Sequence, residues 1–419
     1  MATRRPGFLK CCVDRRGFLK AVGGAGAAAT VAGIPAVLRA QAPDVKIGYI
    51  LPVTGPLAFD ASLNLNGLLL AVDEINAAGG VKSLGGAKIN LLSGDTQAKV
   101  ELGNSEAARL IENGIVALIG PYSSLVAYSV RQVTEKNRTP FMLLGAVADN
   151  LCEGGLKYIF RVQPNGKAMS TLTMNHVADM GKAANVSIKR VAMMHEDGNF
   201  GTTMGNHVEA FAGKLGYQLV MRIPYNLRSP DFTTELSKVK AARPDILVIS
   251  GYFGDAKLIA ETAIKLRMGM HALVGLANAA YSNPRFIADN RELTEHLFDG
   301  NYWHNPQSAR AKAVFEAYQK KFNGPMTSHG VQAYAVMYVL KDALERAAST
   351  DREKVRDAIA KTNLADHILP QDAIRFDETG ENANASPALL QVQGGKPLCV
   401  GPARFAETKP VFPVPKWKA

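Results

Sequence analysis

The residues most able to do acid–base or metal chemistry form one short run, His195-Glu196-Asp197-Gly198. Consecutive side chains at the end of a strand point in different directions, so this run does not predict a metal centre or a catalytic group. The sequence also lacks a Gly-x-x-x-x-Gly-Lys-Ser/Thr loop, a Gly-x-Ser-x-Gly elbow and a His-Glu-x-x-His motif. We therefore predict a protein that is not an enzyme and holds neither a cofactor nor a metal.

A turn that contains Ser123 and Ser124 offers binding chemistry instead. Backbone N–H groups and hydroxyls at the start of the helix after Tyr122 form a seat for an anion, so the two serines are our first choice for holding a ligand carboxylate. The alternative is ordinary helix capping, which serine also favours. Small residues that allow close backbone approach follow at Gly145, Ala146 and Ala148.

Short apolar strands alternate with amphipathic helices from Val45 to about residue 274, which predicts an α/β fold with parallel sheets. A first array of strands and helices ends near residue 160, and a second array of similar size follows it. Loops such as the one that contains Ser123 and Ser124 come at the C-terminal ends of predicted strands, where open α/β sheets bind ligands. The sequence predicts two doubly wound, three-layer lobes with a ligand cleft between them.

Predicted helices near Ser308–Phe322, Val331–Ala347 and Asp351–Ala360 arrive without intervening strands. They must cover a sheet that already exists, so we expect them to return to the first lobe through several hinge crossings. The predicted N-terminal lobe comprises residues 43–163 and 301–365, and the C-terminal lobe comprises residues 164–300 and 366–406. A Pro-rich tail, residues 407–419, is expected to be loosely ordered.

Residues 1–42 have the layout of a Tat-type signal peptide. The order Arg15-Arg16-Gly17-Phe18-Leu19-Lys20 is that of a twin-arginine motif, and an Ala/Gly-rich apolar run ends close to Ala42. A membrane anchor is disfavoured because the run is short and is interrupted by glycines and Pro35. We predict export to the periplasm with cleavage near Ala42.

The formal net charge of +11 comes in large part from this segment. Seven of the 48 basic and one of the 37 acidic residues precede Pro43, which leaves 41 basic and 36 acidic residues. These charges are interspersed, so a nucleic-acid partner is not predicted. Cys152 and Cys399 are the cysteines left after Pro43, and the sequence leaves open whether they form a disulfide or remain two buried thiols.

Five loop motifs, in this order and spacing, resemble the leucine/isoleucine/valine-binding proteins of ABC importers. They are Pro52-Val53-Thr54-Gly55-Pro56-Leu57-Ala58-Phe59, Gly120-Pro121-Tyr122-Ser123-Ser124, Gly145-Ala146-Val147-Ala148, His195-Glu196-Asp197-Gly198-Asn199-Phe200-Gly201 and Gly251-Tyr252-Phe253-Gly254-Asp255. The likeness extends over nearly all of the chain after the signal segment. It implies the fold of a type I periplasmic binding protein, a small-molecule ligand in the cleft, and ABC permease subunits of the inner membrane as partners.

The resemblance also implies further site residues. Phe200 takes the place of a family tyrosine and Tyr252 matches another, so both would wall the cleft, although plain core packing is the alternative. His329 aligns near a site-facing position. The resemblance-based site therefore comprises Phe59, Tyr122, Ser123, Ser124, Gly145, Ala146, Ala148, Phe200, Tyr252, Asn278 and His329.

Two departures from the family bear on the ligand. The family threonine expected near Ala148 is missing, and the acidic residue that pairs with a ligand ammonium has no counterpart in Gly275-Leu276-Ala277-Asn278. A buried ammonium without a partner is costly, so a standard amino acid is disfavoured unless Glu196, Asp197 or Asp255 replaces the charge. An aromatic or aliphatic acid, or an amide, fits better. A periplasmic ligand sensor of the same fold, and less so a secreted α/β enzyme, are the alternatives.

Overall fold

The computed structural model describes residues 42–278 and 280–416, so the predicted signal segment lies outside the described residues apart from Ala42. The strands are β1 (Val45–Leu51), β2 (Ile89–Asp95), β3 (Ala117–Pro121), β4 (Phe141–Leu144), β5 (Ile159–Arg161), β6 (Arg190–Glu196), β7 (Gln218–Tyr225), β8 (Ile246–Ser250), β9 (Ala272–Leu276), β10 (Phe298–Asn301), β11 (Asn363–Leu364), β12 (Ile374–Arg375), β13 (Ala388–Gln393) and β14 (Lys396–Gly401).

The helices alternate with these strands over most of the chain. They are α1 (Ala58–Ala77), α2 (Val100–Glu112), α3 (Ser124–Lys136), α4 (Gly166–Ala183), α5 (Asn199–Ala212), α6 (Thr233–Ala241), α7 (Phe253–Lys265), α8 (Pro284–Asp289), α9 (Arg291–Thr294), α10 (Ala309–Phe322), α11 (Ser328–Ala347) and α12 (Arg352–Ala360). None of the helices within residues 42–278 and 280–416 combines the length and apolar character needed to cross a bilayer.

Two sheets divide the structure. The first is parallel throughout, in the order β2-β1-β3-β4-β5, and the second has the order β14-β13-β10-β9-β8-β6-β7. The second sheet is parallel from β10 to β7, while β13 and β14 add to it antiparallel. Strands such as β4 and β8 are buried along their whole length because helices cover both faces, which explains their continuous apolar runs. The α/β architecture with parallel sheets agrees with the sequence pattern.

Strand β10 was not predicted, because its sequence Phe-Asp-Gly-Asn contains residue types that strands disfavour. It is nevertheless wholly buried between β9 and β13. The carboxylate of Asp299 accepts a hydrogen bond from the Ser282 hydroxyl at 2.5 Å and another from the Asn301 amide at 3.2 Å. Local polar partners therefore replace the apolar side chains that the pattern requires.

The late helices pack on the helix that covers the first sheet. Helix α11 lies against α1 and α12, and the Tyr334 hydroxyl donates a hydrogen bond to Glu74 of α1 at 2.5 Å. The hairpin of β13 and β14 instead belongs to the second sheet. The lobe bounds proposed from the sequence, residues 43–163 with 301–365 and residues 164–300 with 366–406, stay a prediction, and Gly380 and Asn382 hydrogen-bond to Arg161 of the first sheet.

The contact between α1 and α11 depends on a pair of glycines. A Cβ atom added at Gly67 would lie 2.3 Å from the carbonyl oxygen of Gly330 and 2.9 Å from the Cβ of Ala333. Gly67→Ala is expected to lower the free energy of unfolding by about 1–3 kcal/mol, because the helices must move apart. Gly213→Ala, where nothing lies within 4 Å, is the control. Denaturant unfolding in which both variants behave alike would contradict this packing.

The C-terminal segment is ordered as far as residue 416, so the prediction of a loose tail was wrong for its described part. The Gln391 side chain donates to the carbonyl of Val411 at 2.9 Å and accepts from its N–H at 2.8 Å. The N–H of Val414 donates to His271 at 2.9 Å, and the Val414 side chain is buried. The three prolines indicated disorder, but an extended segment can bond to buried polar groups of the second sheet.

Cys152 and Cys399 are both buried free thiols, which is the second of the two alternatives that the sequence left open. They belong to different hydrophobic clusters, one beside β4 and one beside β13. Burial raises the pKa of each thiol to about 12, which disfavours the reactive thiolate.

Candidate functional site

A small, partly enclosed cavity lies between the carboxyl ends of the two sheets. Its lining comes from both sheets and from α11, and consists of Tyr122, Ser124, Gly145, Phe200, Tyr252, Ala277, Asn301, Tyr302 and His329. The cavity volume of about 20 Å³ is close to that of one water molecule. A molecule of amino-acid size does not fit into the cavity in this arrangement.

The backbone is unusual at two of the lining residues. Tyr122 has a φ of 81° and Ala277 has a φ of 55°, in the region that L-residues rarely adopt. Such conformations persist only where the surrounding structure holds them, and they concentrate at ligand sites. The Tyr122 N–H donates to the carbonyl of Leu144 at 2.9 Å, and its hydroxyl lies 3.0 Å from Nε2 of His329. Contacts thus fix both the backbone and the hydroxyl of Tyr122.

Neither of the two serines acts as a simple helix cap. Ser123 occupies the N-cap of α3 without a side-chain capping bond, and it does not line the cavity. The Ser124 hydroxyl lines the cavity and accepts the N–H groups of Val147 and Ala148 at 3.2 and 3.3 Å. Since these bonds use the oxygen lone pairs, the Ser124 proton is available to a ligand acceptor.

Of the three predicted small residues, Gly145 alone lines the cavity. The carbonyls of Ala146 and Ala148 face away and accept hydrogen bonds from the Arg161 guanidinium at 3.2 and 2.8 Å. Arg161 itself forms a buried ion pair with Glu381. These carbonyl groups hold the loop in place, and the expectation that Ala146 and Ala148 approach the ligand stays a prediction.

The second lobe contributes the aromatic wall. Phe200 and Tyr252 both line the cavity, with ring centroids 5.4 Å apart, and Tyr252 packs across the cleft on Tyr122 at 5.8 Å. Each ring lies at the N-terminal end of a helix, Phe200 in α5 and Tyr252 at the N-cap of α7. These rings combine core packing with a position on the cavity wall, so the two interpretations of them are compatible.

Three acids were considered as replacements for the family's carboxylate. Two of them accept hydrogen bonds from the protein, and the third is exposed. Glu196 accepts the N–H groups of Gly198 and Gly201, both at 2.6 Å, and Asp197 is exposed. Asp255 accepts the Tyr252 N–H at 3.0 Å and the Tyr225 hydroxyl at 2.7 Å. Burial raises the pKa of Glu196 and raises that of Asp255 to about 6. None of these acids lines the cavity.

Two further predicted residues lie outside the cavity lining. Phe59 packs on Phe253 with ring centroids 4.5 Å apart. The Asn278 side chain is fully buried and accepts the N–H of Ala280 at 3.0 Å, so it stabilises the loop after β9. His329, in contrast, does line the cavity.

Sequence reasoning missed Ala277, Asn301 and Tyr302. Asn301 ends β10 and Tyr302 follows it, and the sequence pattern did not reveal this strand, so no signal pointed to them. The Tyr302 hydroxyl donates to the Gly145 carbonyl of the first lobe at 3.3 Å. Ala277 was missed although it directly follows β9, so the predicted strand ends were an incomplete guide to the cavity lining.

Polar contacts also join the two lobes beside the cavity. Asp149 hydrogen-bonds to His207 of α5, and Asn199 donates to Asn150 at 3.3 Å. Burial alone would raise the pKa of Asp149, but hydrogen bonds from His207 and from the Lys167 N–H lower it below its usual range. The ionised Asp149 therefore stabilises the closed arrangement above the ordinary carboxyl range, and this contribution disappears in acid.

Asp149→Asn is expected to weaken the closed arrangement by about 1 kcal/mol, since the pair is partly exposed. Small-angle scattering of the unliganded protein should then give a larger radius of gyration for the variant than for wild type. Asp289→Asn, whose side chain is half exposed, is the control. An unchanged radius of gyration in Asp149→Asn would show that this pair does not hold the lobes together.

Comparison with known proteins shows the family to which this chain belongs. Residues 44–396 match the family described as periplasmic binding protein, and the chain belongs to that family. A Leu/Ile/Val-binding protein homologue from Brucella suis is 28% identical over 384 residues, which cover 88% of this chain and 95% of that protein.

Solved structures show the same architecture. The leucine-binding protein LivK from Thermotoga maritima has a TM-score of 0.73 and 24% identity, and the match covers 85% of this chain and 97% of that one. A solute-binding protein from R. palustris in complex with benzoate has a TM-score of 0.73 and 18% identity, covering 85% and 96%. The resemblance to Leu/Ile/Val-binding proteins and the type I fold, both predicted from the loop motifs, are confirmed.

Proposed function

We propose that this chain is the solute-binding component of an ABC importer and that it carries a small amino-acid-like or carboxylate ligand between its lobes. The observation that carries the proposal is the cavity itself, which both sheets line at the carboxyl ends of their strands. Ligand would first contact the lobe of Tyr122 and Ser124, and Phe200 and Tyr252 would then close over it. The closed shape is what the permease would recognise.

His329 gives the cavity one adaptable polar group. Its Nε2 lies 3.0 Å from the Tyr122 hydroxyl, while its Nδ1 is buried without a hydrogen-bond partner in the described part of the chain. Burial lowers the pKa of His329 to about 4, so the imidazole is neutral at pH 7. A neutral imidazole offers one donor and one acceptor, so Nδ1 can serve a polar group of the ligand.

The relatives support this range of ligands. Curated relatives are homologues of Leu/Ile/Val-binding proteins, and solved structures of the same fold hold isoleucine in one case and benzoate in another. An apolar body between aromatic rings and a polar head near hydroxyls would suit compounds of both kinds. We extend the proposal to the location: residues 1–42 would direct Tat export, and the protein would work in the periplasm.

Isothermal titration of the purified protein with leucine, isoleucine, benzoate and benzamide tests the proposal. At least one compound should bind with one-to-one stoichiometry and be recovered unchanged after prolonged incubation. Steady consumption of a bound compound would contradict a transport role and favour the secreted-enzyme alternative. Neighbouring permease and ATPase genes would favour the importer over a periplasmic sensor of the same fold.

A further inference from the structure

We propose that Asp60 is the counter-ion for a positively charged nitrogen of the ligand, so that the ligand is an organic cation or a zwitterion and not a simple carboxylate. The inference rests on the proposed function, because it names the group of the ligand that the same site recognises. Asp60 lies in the first turn of α1, on the first lobe.

The carboxylate of Asp60 is buried and does not itself line the cavity, but it lies near residues that do. The residue is 2% exposed, and its neighbour Phe59 packs on Phe253, the first residue of α7, with ring centroids 4.5 Å apart. Its charge acts on the hydroxyls of Tyr122 and Tyr252, which both line the cavity. A side chain of the first lobe thus approaches the part of the wall that the second lobe supplies.

One oxygen of this carboxylate is not used by the protein. Oδ1 of Asp60 is buried and has no hydrogen-bond partner among the described residues. Leaving a charged acceptor buried and unpaired is costly, so such an atom calls for a donor from a bound molecule. An ammonium or amidinium group supplies both the hydrogen and the opposite charge.

A second acid strengthens the preference for a cation. Asp255 of α7 is also buried and repels Asp60. Burial, followed by this repulsion, raises the pKa of Asp60 to about 7, and burial raises that of Asp255 to about 6. A positive group beside Asp60 relieves both effects, whereas a ligand carboxylate at the same place adds another like charge.

The aromatic wall fits the same chemistry. Four rings line the cavity, those of Tyr122, Phe200, Tyr252 and Tyr302. The faces of aromatic rings attract cations, and rings combined with a carboxylate recognise ammonium and methylated ammonium groups. A positively charged nitrogen on the ligand therefore matches both the aromatic rings and the carboxylate of Asp60.

A structural role for Asp60 makes a different prediction. A carboxylate that only stabilises the N-terminus of α7 would strengthen the folded protein without any ligand. A counter-ion buried beside Asp255 should instead destabilise the unliganded protein, above all at high pH where both carboxylates lose their protons. Asp60→Asn separates these roles because it removes the charge and keeps the shape.

The binding test uses two sets of probes that share a carbon skeleton within each set. One set is leucine, 4-methylpentanoate and 3-methylbutylamine, and the other is phenylalanine, 3-phenylpropanoate and 2-phenylethylamine. We expect calorimetry to show binding of compounds with the charged nitrogen and at least 100-fold weaker binding of the matched acids. Asp60→Asn should weaken binding of the nitrogen compounds at least 100-fold, and Asp179→Asn, whose side chain is 74% exposed, should not.

The pH dependence gives a second readout. Affinity of wild type for the nitrogen compounds should fall when the pH is lowered from 8 to 6, because Asp60 and Asp255 take up protons that compete with the cation. Tyr122 and Tyr252, the other titratable groups that face Asp60, stay neutral over this range, since burial raises the pKa of both. Asp60→Asn should remove most of the pH effect.

The outcomes separate this inference from the proposed function. Tight binding of an acid without nitrogen, unaffected by Asp60→Asn, would overturn the inference and leave a solute-binding role intact. Binding of none of the six probes would count against both. Thermal unfolding without ligand should give Asp60→Asn a melting temperature equal to or above that of Asp179→Asn at pH 8, and a lower value by several degrees would show a structural contact and overturn the inference.

Discussion

Glu381→Gln is expected to destabilise the protein by about 3–5 kcal/mol, because it leaves the Arg161 guanidinium buried without its counter-ion. Arg161 is fully buried, whereas the side chain of Glu381 is 14% exposed. The same guanidinium holds the carbonyls of Ala146 and Ala148, so the loop after Gly145 should also lose order. Denaturant unfolding at pH 7 measures the first effect, and hydrogen exchange of the loop measures the second.

An exposed ion pair supplies the control. Arg404 and Asp372 lie 2.9 Å apart with side chains 67% and 70% exposed, so Asp372→Asn should change the stability by less than about 0.5 kcal/mol. If Glu381→Gln were as mild as Asp372→Asn, the Arg161 pair would not be the support that we assign to the site loop.

Gly145→Ala is expected to reduce ligand affinity at least 100-fold. Gly145 has a φ of 83°, and an added Cβ would lie 2.3 Å from Cδ2 of Tyr122. The Tyr122 ring would have to move, and the cavity of about 20 Å³ on its other side has no room for the ring and a ligand together. A 100-fold loss corresponds to about 2.7 kcal/mol of binding free energy. Calorimetry with any probe that binds wild type gives the value.

The control for this variant separates backbone strain from obstruction. Gly114 has a similar φ of 79°, but nothing lies within 4 Å of an added Cβ. Gly114→Ala should therefore carry a comparable strain of about 1 kcal/mol in the folded state and leave ligand affinity unchanged. Equal affinity losses in the two variants would mean that strain, and not the position of Tyr122, causes the effect.

The elements that the sequence predicted best are those with a strong local pattern. Strand β4 is four consecutive apolar residues, and α2 keeps its apolar residues on one face, so both follow the alternation of strands and helices that the sequence predicted. Strand β10 was not predicted because it depends on hydrogen bonds from Ser282 and Asn301 and on pairing with neighbouring strands. A local window of sequence reveals none of these contacts. Local periodicity cannot report a strand that its tertiary partners define.

The site shows the same limit. Tyr122, Ser124, Gly145, Phe200, Tyr252 and His329 were predicted and line the cavity. Asn301 and Tyr302 were missed together with β10. Asp60 was missed for another reason: an acid in the first turn of a helix usually signals a favourable helix dipole at the surface. Its neighbours Phe253 and Asp255 come from the second lobe, and a local window of sequence does not reveal them.

Native mass spectrometry of protein purified from cells without refolding is the most direct test of the claim that this cleft captures a small molecule unchanged. We predict that wild type carries one small molecule per chain, that the molecule contains a positively charged nitrogen, and that Gly145→Ala carries none while Gly114→Ala carries it as wild type does. Equal occupancy of wild type and Gly145→Ala, or recovery of a chemically altered molecule, would contradict the account.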